Sequence, residues 1–258
     1  MSIPALPDLH PAHPGLADHN LALFLDVDGT LLEIAASPDA VVVPESLKKL
    51  LNELSIRLDG ALALVSGRSL QVLDRLFTPF QFIAAGIHGC ERREPSGCIR
   101  LPTVDLNVVA AAREDLLQWT GQTPGLLFED KAYSLAVHYR RVPFMEAPVR
   151  NHLTALTQRM GREFELQPGK FVFEIRPAGF SKRSAIEGYM RQAPFRDRVP
   201  VFLGDDLTDE SGFAIVNEMR GVSIRVGDER PTLATYHLSS VADAIQWLRA
   251  LPLPQRNT

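Results

Sequence analysis

The chain has 258 residues, of which 45% are hydrophobic and 22% are charged, a composition typical of folded globular domains that excludes long disorder. Its formal net charge of -4 offers no basic surface for binding nucleic acid. No apolar run approaches a membrane span, because Asp, Arg or Gly interrupts each within about a dozen residues. We therefore expect a cytoplasmic protein with no membrane or nucleic-acid partner.

The N-terminal half of the chain predicts alternating strands and helices. Residues 1–20 are rich in Pro and His, lack the regions of a signal peptide and are predicted to form a flexible arm. The apolar run LALFLD (21–26) predicts a buried strand and residues 44–58 predict a helix. GALALVSGRS (60–69) repeats the strand pattern, LQVLDRLF is helical, and FIAAGIHGCE (82–91) predicts another strand. This alternation predicts an open, mostly parallel sheet, which binds ligands beyond the carboxyl ends of its strands.

The pattern changes at about residue 102. VDLNVVAAAREDLLQWTGQ and PVRNHLTALTQRM predict amphipathic helices, and LLFEDKAYSLAVHYR holds strand-like alternation between them. FELQPGKFVFEIRP predicts a hairpin with its turn at Pro168 and Gly169. Strands and helices mixed in this way predict a small α+β insert.

The alternation resumes with the helix KRSAIEGYM, the strand VPVFLGDD, the helix TDESGFAIVNEM, the strand GVSIRVG and the helix SVADAIQWLRAL. We therefore predict an α/β fold with a Rossmann-like, mostly parallel sheet core. The core comprises residues 21–101 and 178–258, follows an arm at 1–20, and contains an inserted α+β cap domain at 102–177.

Acidic residues end two of the predicted parallel strands. Asp26 and Asp28 follow LALFL at strand spacing and so project from one face, where they repel each other unless a cation or a proton intervenes. VFLG ends in Asp205 and Asp206, with Asp209 shortly after. Side by side, these strand ends make an oxygen-rich pocket suited to Mg²⁺. Helix capping explains the last of these acids, but it does not explain acids at the ends of both strands.

Small hydroxyls and a lysine complete the candidate site. Thr30 in DGT and Ser66 in SGR lie beside glycines, whose backbone N–H groups approach anions closely. Either residue alone is equally typical of a simple turn. Lys182 begins a predicted helix, where a single lysine is usually a solvated surface residue. We include it in the site because a phosphate next to several carboxylates needs a positive charge to offset the repulsion.

In this order and spacing, DVDGTLL, SGR, FSKRSAI and GDDLTDE resemble the four motifs of the haloacid dehalogenase-like (HAD) phosphatases. The insert between the second and third motifs resembles the type IIB-like cap of the sugar-phosphate phosphatases in that superfamily. More narrowly, GIHGCE, EDKAYSLAVHYR, PGKFVFEIRP and GDDLTDE are similar to the trehalose-6-phosphate phosphatase family. One departure is Arg183, which follows Lys182 where that family more often has Gly.

The resemblance implies a Mg²⁺-dependent phosphatase that converts trehalose 6-phosphate to trehalose and phosphate. It implies that Asp26 forms an aspartyl-phosphate and that Asp28 protonates the leaving sugar and then deprotonates water. It implies that the Asp26 carboxylate, the Asp28 carbonyl and Asp205 hold Mg²⁺, with Asp206 or Asp209 acting through water. Finally, it implies that the phosphoryl oxygens are bound by Thr30, Ser66 and Lys182.

Substrate-binding residues are also implied. In the core these are Gly67, Arg68 and His88. In the cap the resemblance places sugar contacts on Glu129, Lys131, Lys170 and Glu174. Residues 129 and 131 share one face of a predicted strand, and we expect residues 170 and 174 to share a face also. His138 and Arg140 add a cationic strand, although any one of these charges is more often a weak surface ion pair.

Other functions stay open on the sequence alone. The substrate could be sucrose phosphate, mannosyl-phosphoglycerate or glucosyl-glycerol phosphate. A phosphomutase would need a second phosphate site, and none is evident. A non-catalytic sugar-phosphate-binding regulatory module would most often have lost Asp26 or Asp28, and both are present. The expected assembly is a monomer whose partner is a small sugar phosphate.

Overall fold

Residues 20–34, 41–228 and 231–252 are described by the computed structural model of the chain. The predicted arm at 1–20 lies outside the described residues except for Asn20. Two compact units divide the chain: one is Met1–Arg100 with Ser181–Thr258, and the other is Leu101–Phe180. No helix in the described ranges has both the length and the apolar character needed to cross a membrane.

The described residues form strands and α-helices whose bounds follow in chain order. The strands are β1 Leu21–Leu25, β2 Leu62–Val65, β3 Ile83–Gly86, β4 Glu91–Arg93, β5 Ile99–Arg100, β6 Leu127–Asp130, β7 Leu135–His138, β8 Phe164–Gly169, β9 Val172–Pro177, β10 Val199–Gly204, β11 Val222–Val226 and β12 Tyr236–Leu238. The helices are α1 Glu45–Arg57, α2 Leu70–Phe77, α3 Leu106–Gly121, α4 Glu146–Met160, α5 Lys182–Met190, α6 Glu210–Glu218 and α7 Val241–Arg249.

The first unit contains an eight-stranded sheet in the order β12-β11-β10-β1-β2-β3-β4-β5. Its strands are parallel from β12 to β3, and β4 and β5 are antiparallel. Strands β1 and β2 are apolar and buried along their whole length, as expected for strands covered on both faces. This arrangement confirms the predicted α/β class with a mostly parallel sheet.

The order of the strands runs outward from the centre of this sheet toward both of its edges. From β1 the chain proceeds through β2 to β3, and after the second unit it returns at β10 and proceeds through β11 to β12. The sheet order therefore reverses between β1 and β10. In open parallel sheets, ligands bind outside the carboxyl ends of the strands at such a point.

The predicted strand at 82–91 is wrong beyond Gly86. Ile87 and His88 have φ values of 47° and 53°, which turn the chain back into the antiparallel strands β4 and β5. Strand β4 carries the buried charges Glu91 and Arg93, so it lacks the apolar run by which a buried strand is recognised.

The second unit contains a four-stranded antiparallel sheet in the order β6-β7-β9-β8. Apolar side chains of this sheet, such as Val137, Phe173 and Ile175, form a core with buried residues of α3 and α4. Glu129 and Glu174 are both in register with Ala136, so they lie on the opposite face, which we call the polar sheet face.

The hairpin turn of this unit lies two residues later than predicted. Strand β8 continues through Pro168 and Gly169, and the turn consists of Lys170 and Phe171, the latter with φ of 62°. Proline fits in β8 because this strand is at the edge of the sheet, where one side needs no ladder hydrogen bonds.

Candidate active site

Four candidate site residues of the first unit lie at the carboxyl-terminal edge of its parallel strands. Asp26 follows β1, Ser66 follows β2 and Asp205 follows β10. The backbone N–H of Asp26 donates to the carbonyl of Leu203 at 3.0 Å, which ties the end of β1 to β10. Lys182, the first residue of α5, reaches the same edge.

Asp26 and Lys182 form the buried centre of this site. The Lys182 Nζ donates to Asp26 Oδ1 at 2.6 Å and to Asp209 Oδ1 at 2.5 Å. The Thr30 hydroxyl donates to the other Asp26 oxygen, Oδ2, at 3.0 Å. All four residues are buried, and both oxygens of the Asp26 carboxylate are fixed by hydrogen bonds.

Burial and neighbouring charges control the protonation of this pair. Burial raises the pKa of Asp26 well above its ordinary value, and Asp209 and Asp205 raise it further against the opposing charge of Lys182. Burial alone lowers the pKa of Lys182, but the charges of Asp209 and Asp26 outweigh burial and raise it. Lys182 therefore remains a cation at neutral pH.

Asp209 organises the loop after β10. Its Oδ2 accepts the backbone N–H groups of Asp205 and Asp206 at 3.0 and 2.9 Å, while its Oδ1 accepts Lys182. Asp206 caps the short 3₁₀ turn Leu207–Asp209, since its Oδ1 accepts the Leu207 N–H at 2.7 Å. Asp209 completes a capping box by accepting the Asp206 N–H, so the capping function considered for Asp209 from the sequence is present and is shared with Asp206.

Three carboxylates form a group that can hold a cation. Asp26, Asp205 and Asp209 each offer an oxygen within 4.8 Å of the others, a hard-oxygen donor set that fits Mg²⁺. Burial and the charge of Asp209 raise the pKa of Asp205 to about 7. A Cβ on Gly29 would lie 2.1 Å from Asp205 Oδ2, so only glycine leaves room for this carboxylate. Asp28 and Asp206 lie outside this group.

Asp28 is paired with the loop after β2. The Arg68 Nε and Nη2 atoms donate to its two carboxylate oxygens at 2.7 and 2.8 Å. The Ser66 hydroxyl oxygen accepts the Arg68 backbone N–H at 3.2 Å, and Ser66 itself is buried. The His88 ring lies against Gly67, where a Cβ would be 2.8 Å from Cε1 and Nε2. The predicted core residues 66, 67, 68 and 88 are thus neighbours.

The polar sheet face of the second unit carries two contacts between an acidic and a basic side chain. His138 Nε2 lies 2.8 Å from Glu129 Oε2, and the Lys131 Nζ lies 2.7 Å from Glu174 Oε2. The Ser134 hydroxyl donates to Glu174 Oε1 at 2.6 Å. The first contact joins the neighbouring strands β6 and β7, and the second joins the residue after β6 to β9, on the far side of β7.

Lys170 and Arg140 lie outside the strands of that face. Lys170 lies in the turn after β8 and is exposed, whereas Glu174 lies within β9 and is buried. Arg140 follows the end of β7, and its guanidinium carbon lies 5.5 Å from the centre of the Phe171 ring. The predicted cationic strand therefore ends at His138.

Sequence reasoning missed one buried cation beside the acids. Arg225, on β11, is buried, and its Nη2 donates to the backbone carbonyl of Asp205 at 2.6 Å. Its only sequence signal is a charge inside the short buried strand VSIRV, since buried charges are normally paired. Ser134 was missed as well, because a single serine beside a strand carries no signal of its own.

The chain matches the family model described as trehalose-phosphatase over residues 24–242. It is 43% identical over 236 residues to the trehalose-6-phosphate phosphatase of Escherichia coli (strain K12), covering 89% of this chain and 86% of that protein. It is also 43% identical over 227 residues to a probable trehalose-phosphate phosphatase of Sinorhizobium fredii, covering 87% and 84% of the two chains. The C. albicans trehalose-6-phosphate phosphatase C-terminal domain has a similar fold, with a TM-score of 0.82, 22% identity and coverage of 96% and 98%.

Proposed function

Because the chain belongs to the trehalose-phosphatase family, we propose that it hydrolyses trehalose 6-phosphate to trehalose and phosphate, the last step of trehalose biosynthesis, in a Mg²⁺-dependent reaction. The observation that carries this proposal is the fixed Asp26 carboxylate, which Lys182 and Thr30 hold at both oxygens beside two further acids. A buried, oriented carboxylate next to a cation is the arrangement that a phosphoryl-accepting nucleophile needs.

In the first half-reaction, a carboxylate oxygen of Asp26 attacks phosphorus and the bond from phosphorus to the sugar oxygen breaks. The Asp28 carboxyl gives its proton to that oxygen, so trehalose leaves as an alcohol and Asp26 carries the phosphoryl group. The cation of Lys182 and the hydroxyls of Thr30 and Ser66 offset the charge on the phosphoryl oxygens.

In the second half-reaction, Asp28 accepts a proton from water as the water oxygen attacks phosphorus. The bond from phosphorus to the Asp26 oxygen breaks, which releases inorganic phosphate and restores both carboxyl groups to their starting states. The bidentate pairing of Arg68 with Asp28 fixes the orientation of this carboxyl, and because both of its oxygens accept guanidinium N–H groups, one of these hydrogen bonds must open before Asp28 carries the proton.

Mg²⁺ would be held by the Asp26 carboxylate, the Asp28 carbonyl and the Asp205 carboxylate, with Asp206 or Asp209 interacting through water. When bound, the ion would offset the negative charge of these acids and of the substrate phosphate. Asp209 also has a structural role, since its oxygens already accept hydrogen bonds from the Lys182 Nζ and from two backbone N–H groups.

For the sugar, we propose that the second unit supplies the recognition. Its polar sheet face offers mixed donors and acceptors through Glu129, His138, Lys131 and Glu174, which suits the many hydroxyls of a disaccharide. The exposed cations of Lys170 and Arg140 are included in this proposal. In the first unit, Gly67 and Arg68 are the proposed substrate-binding residues.

The family match and the names of the relatives support trehalose 6-phosphate over the other sugar phosphates considered. The paired acids Asp26 and Asp28 support an enzyme over a non-catalytic binding module. The test is phosphate release from a panel containing trehalose 6-phosphate, sucrose 6-phosphate, glucose 6-phosphate and p-nitrophenyl phosphate, with Asp26→Asn as the blank. We expect the highest kcat/KM on trehalose 6-phosphate; a preference for another sugar phosphate would reject the substrate, and no turnover at all would reject the enzyme.

A further inference from the structure

The segment GIHGCE (residues 86–91), which we call the left-handed turn segment, has an unusual backbone. Ile87, His88 and Gly89 have consecutive φ values of 47°, 53° and 106°. A β-branched residue such as isoleucine is a rare outlier at positive φ. A strained backbone conformation of this kind persists only where contacts with the surrounding structure stabilise it. The contacts of this segment therefore indicate which part of the structure depends on the strained conformation.

The first of these contacts hold the loop after β2. The Ile87 N–H donates to the carbonyl of Arg68 and the His88 N–H donates to the carbonyl of Ser66, both at 2.9 Å. The His88 ring lies on the residue between them, since a Cβ on Gly67 would be 2.8 Å from two ring atoms. The left-handed turn segment therefore holds the Ser66–Arg68 loop through hydrogen bonds to two carbonyls of the loop and through the His88 ring, which packs on Gly67.

A second contact fixes the start of the helix that follows this loop. Glu91 is buried, and its Oε2 accepts the N–H of Leu70, the first residue of α2, at 2.7 Å. A Cβ on Gly86 would be 2.8 Å from both the Leu70 nitrogen and the Arg68 carbonyl oxygen. The loop is thus held at its end as well as along its length.

A third contact reaches the lysine-bearing helix. A Cβ on Gly89 would lie 2.7 Å from the carbonyl oxygen of Ser181, the N-cap residue of α5, and Lys182 is the next residue. The same short segment therefore packs against both chain segments that present phosphate-binding groups, the one with Ser66 and the one with Lys182.

From these contacts we propose that His88 and Glu91 are positioning residues for the phosphate site: they act through the backbone of the Ser66–Arg68 loop and touch neither the sugar nor the reacting atoms. This inference rests on the proposed phosphatase activity. Under this proposal, His88 has a positioning role in place of a sugar contact. Glu91 has a role that the sequence did not indicate.

The test compares Glu91→Ala with Glu91→Gln and with Glu53→Ala, a matched change on the exposed face of α1. Three quantities are measured: kcat/KM on trehalose 6-phosphate, kcat/KM on p-nitrophenyl phosphate, and the inhibition constant of inorganic phosphate. We expect Glu91→Ala to lower both kcat/KM values by at least about tenfold and to raise the inhibition constant. Glu91→Gln should recover most of the loss, because its amide oxygen can still accept the Leu70 N–H, and Glu53→Ala should match the wild type.

The inhibition constant separates positioning from simple destabilisation, because a smaller folded fraction lowers the measured rate without changing phosphate affinity. A loss confined to trehalose 6-phosphate, or an unchanged inhibition constant, would overturn the proposal.

If Glu91→Ala does not fold, His88→Asn is the deciding variant, since asparagine tolerates the left-handed backbone but lacks the ring over Gly67. We expect at least about a threefold loss on both substrates for His88→Asn; wild-type values would overturn the proposal. If the wild type hydrolyses only p-nitrophenyl phosphate, the assignment of trehalose 6-phosphate as the substrate fails. The positioning role can still be tested with p-nitrophenyl phosphate and the inhibition constant of inorganic phosphate.

Discussion

The guanidinium of Arg68 holds both carboxylate oxygens of Asp28, at 2.7 and 2.8 Å, from a loop 40 residues away in the chain. Parallel two-point pairing of this kind fixes the plane of a carboxylate as well as its distance. A single point charge at the same place would leave the carboxylate free to rotate.

The first prediction follows from this pairing. Arg68→Lys keeps the charge but loses the two-point geometry, so we expect kcat on trehalose 6-phosphate to fall by at least about tenfold, or about 1.4 kcal/mol. The release of p-nitrophenol in a single turnover should slow much less, because p-nitrophenol departs without a proton from Asp28, whereas the later water step uses Asp28 for both substrates. Single-turnover rates of leaving-group release on both substrates check this. Equal losses in this step would show instead that Arg68 binds the phosphate itself.

The nucleophile gives the second prediction. Asp26→Asn removes the attacking oxygen's charge while keeping its shape, so phosphate release should be abolished on every substrate. The fold should survive, because Lys182 retains its ion pair with Asp209. Circular dichroism and thermal melting check the fold, and a malachite green assay checks turnover. Retention of a tenth of the wild-type activity would rule out the covalent mechanism.

The third prediction concerns the metal. Activity should require Mg²⁺, disappear with excess EDTA and be weaker with Ca²⁺, which prefers more ligands at longer distances than Mg²⁺. Asp205→Ala removes one carboxylate of the three-acid group and should raise the Mg²⁺ concentration needed for half-maximal activity. Titration calorimetry with Mg²⁺ provides a second measurement that does not depend on turnover. Full activity in EDTA would remove the metal from the mechanism.

Local patterns in the sequence are enough to predict the parallel core. Apolar runs such as LALFL and VPVFLG end in acids or hydroxyls, and parallel strands bring those ends to one edge whatever lies between them. Asp26, Ser66 and Asp205 can therefore be grouped from the order of the strands and the residues that follow them.

Features that depend on long-range packing could not be predicted in this way. The turn at Ile87 and His88 contains a β-branched residue, Ile87, which normally avoids positive φ, so only its tertiary contacts explain it. Glu129 pairs with His138, and Lys131 pairs with Glu174 from a strand more than 40 residues away. The choice between such partners depends on sheet order, which local sequence patterns do not specify.

The fourth prediction is a pH dependence of stability. Burial raises the pKa of Glu129, but the hydrogen bond from His138 and the charges of Lys131 and His138 outweigh burial and Glu174, so the pKa is lowered. A lowered pKa stabilises the fold above the unfolded-state value of about 4.5, and this contribution disappears as pH falls through the folded-state value. Wild type should melt about 1–3 °C above Glu129→Gln at pH 6, and the difference should vanish at acidic pH. A difference that persists at pH 3 would contradict this assignment.

The last prediction tests whether the second unit recognises the sugar. Glu174 is held by Lys131 and Ser134 at 2.7 and 2.6 Å, so its carboxylate is presented in one orientation on the polar sheet face. Fixed polar groups lose little entropy when they bind a hydroxyl, and a charged hydrogen bond contributes about 1.5–3 kcal/mol. Glu174→Ala should therefore lower kcat/KM on trehalose 6-phosphate by at least about tenfold.

The control for this last prediction is the substrate without a sugar. Turnover of p-nitrophenyl phosphate by Glu174→Ala should stay close to wild type, since the residues proposed for the phosphate chemistry all belong to the first unit. Glu163→Ala, at an exposed position of the second unit, should leave both activities unchanged. Parallel losses on both substrates would mean that Glu174 supports the fold of its sheet. A loss confined to trehalose 6-phosphate would assign sugar recognition to the polar sheet face, because only that substrate has hydroxyls for Glu174 to bind.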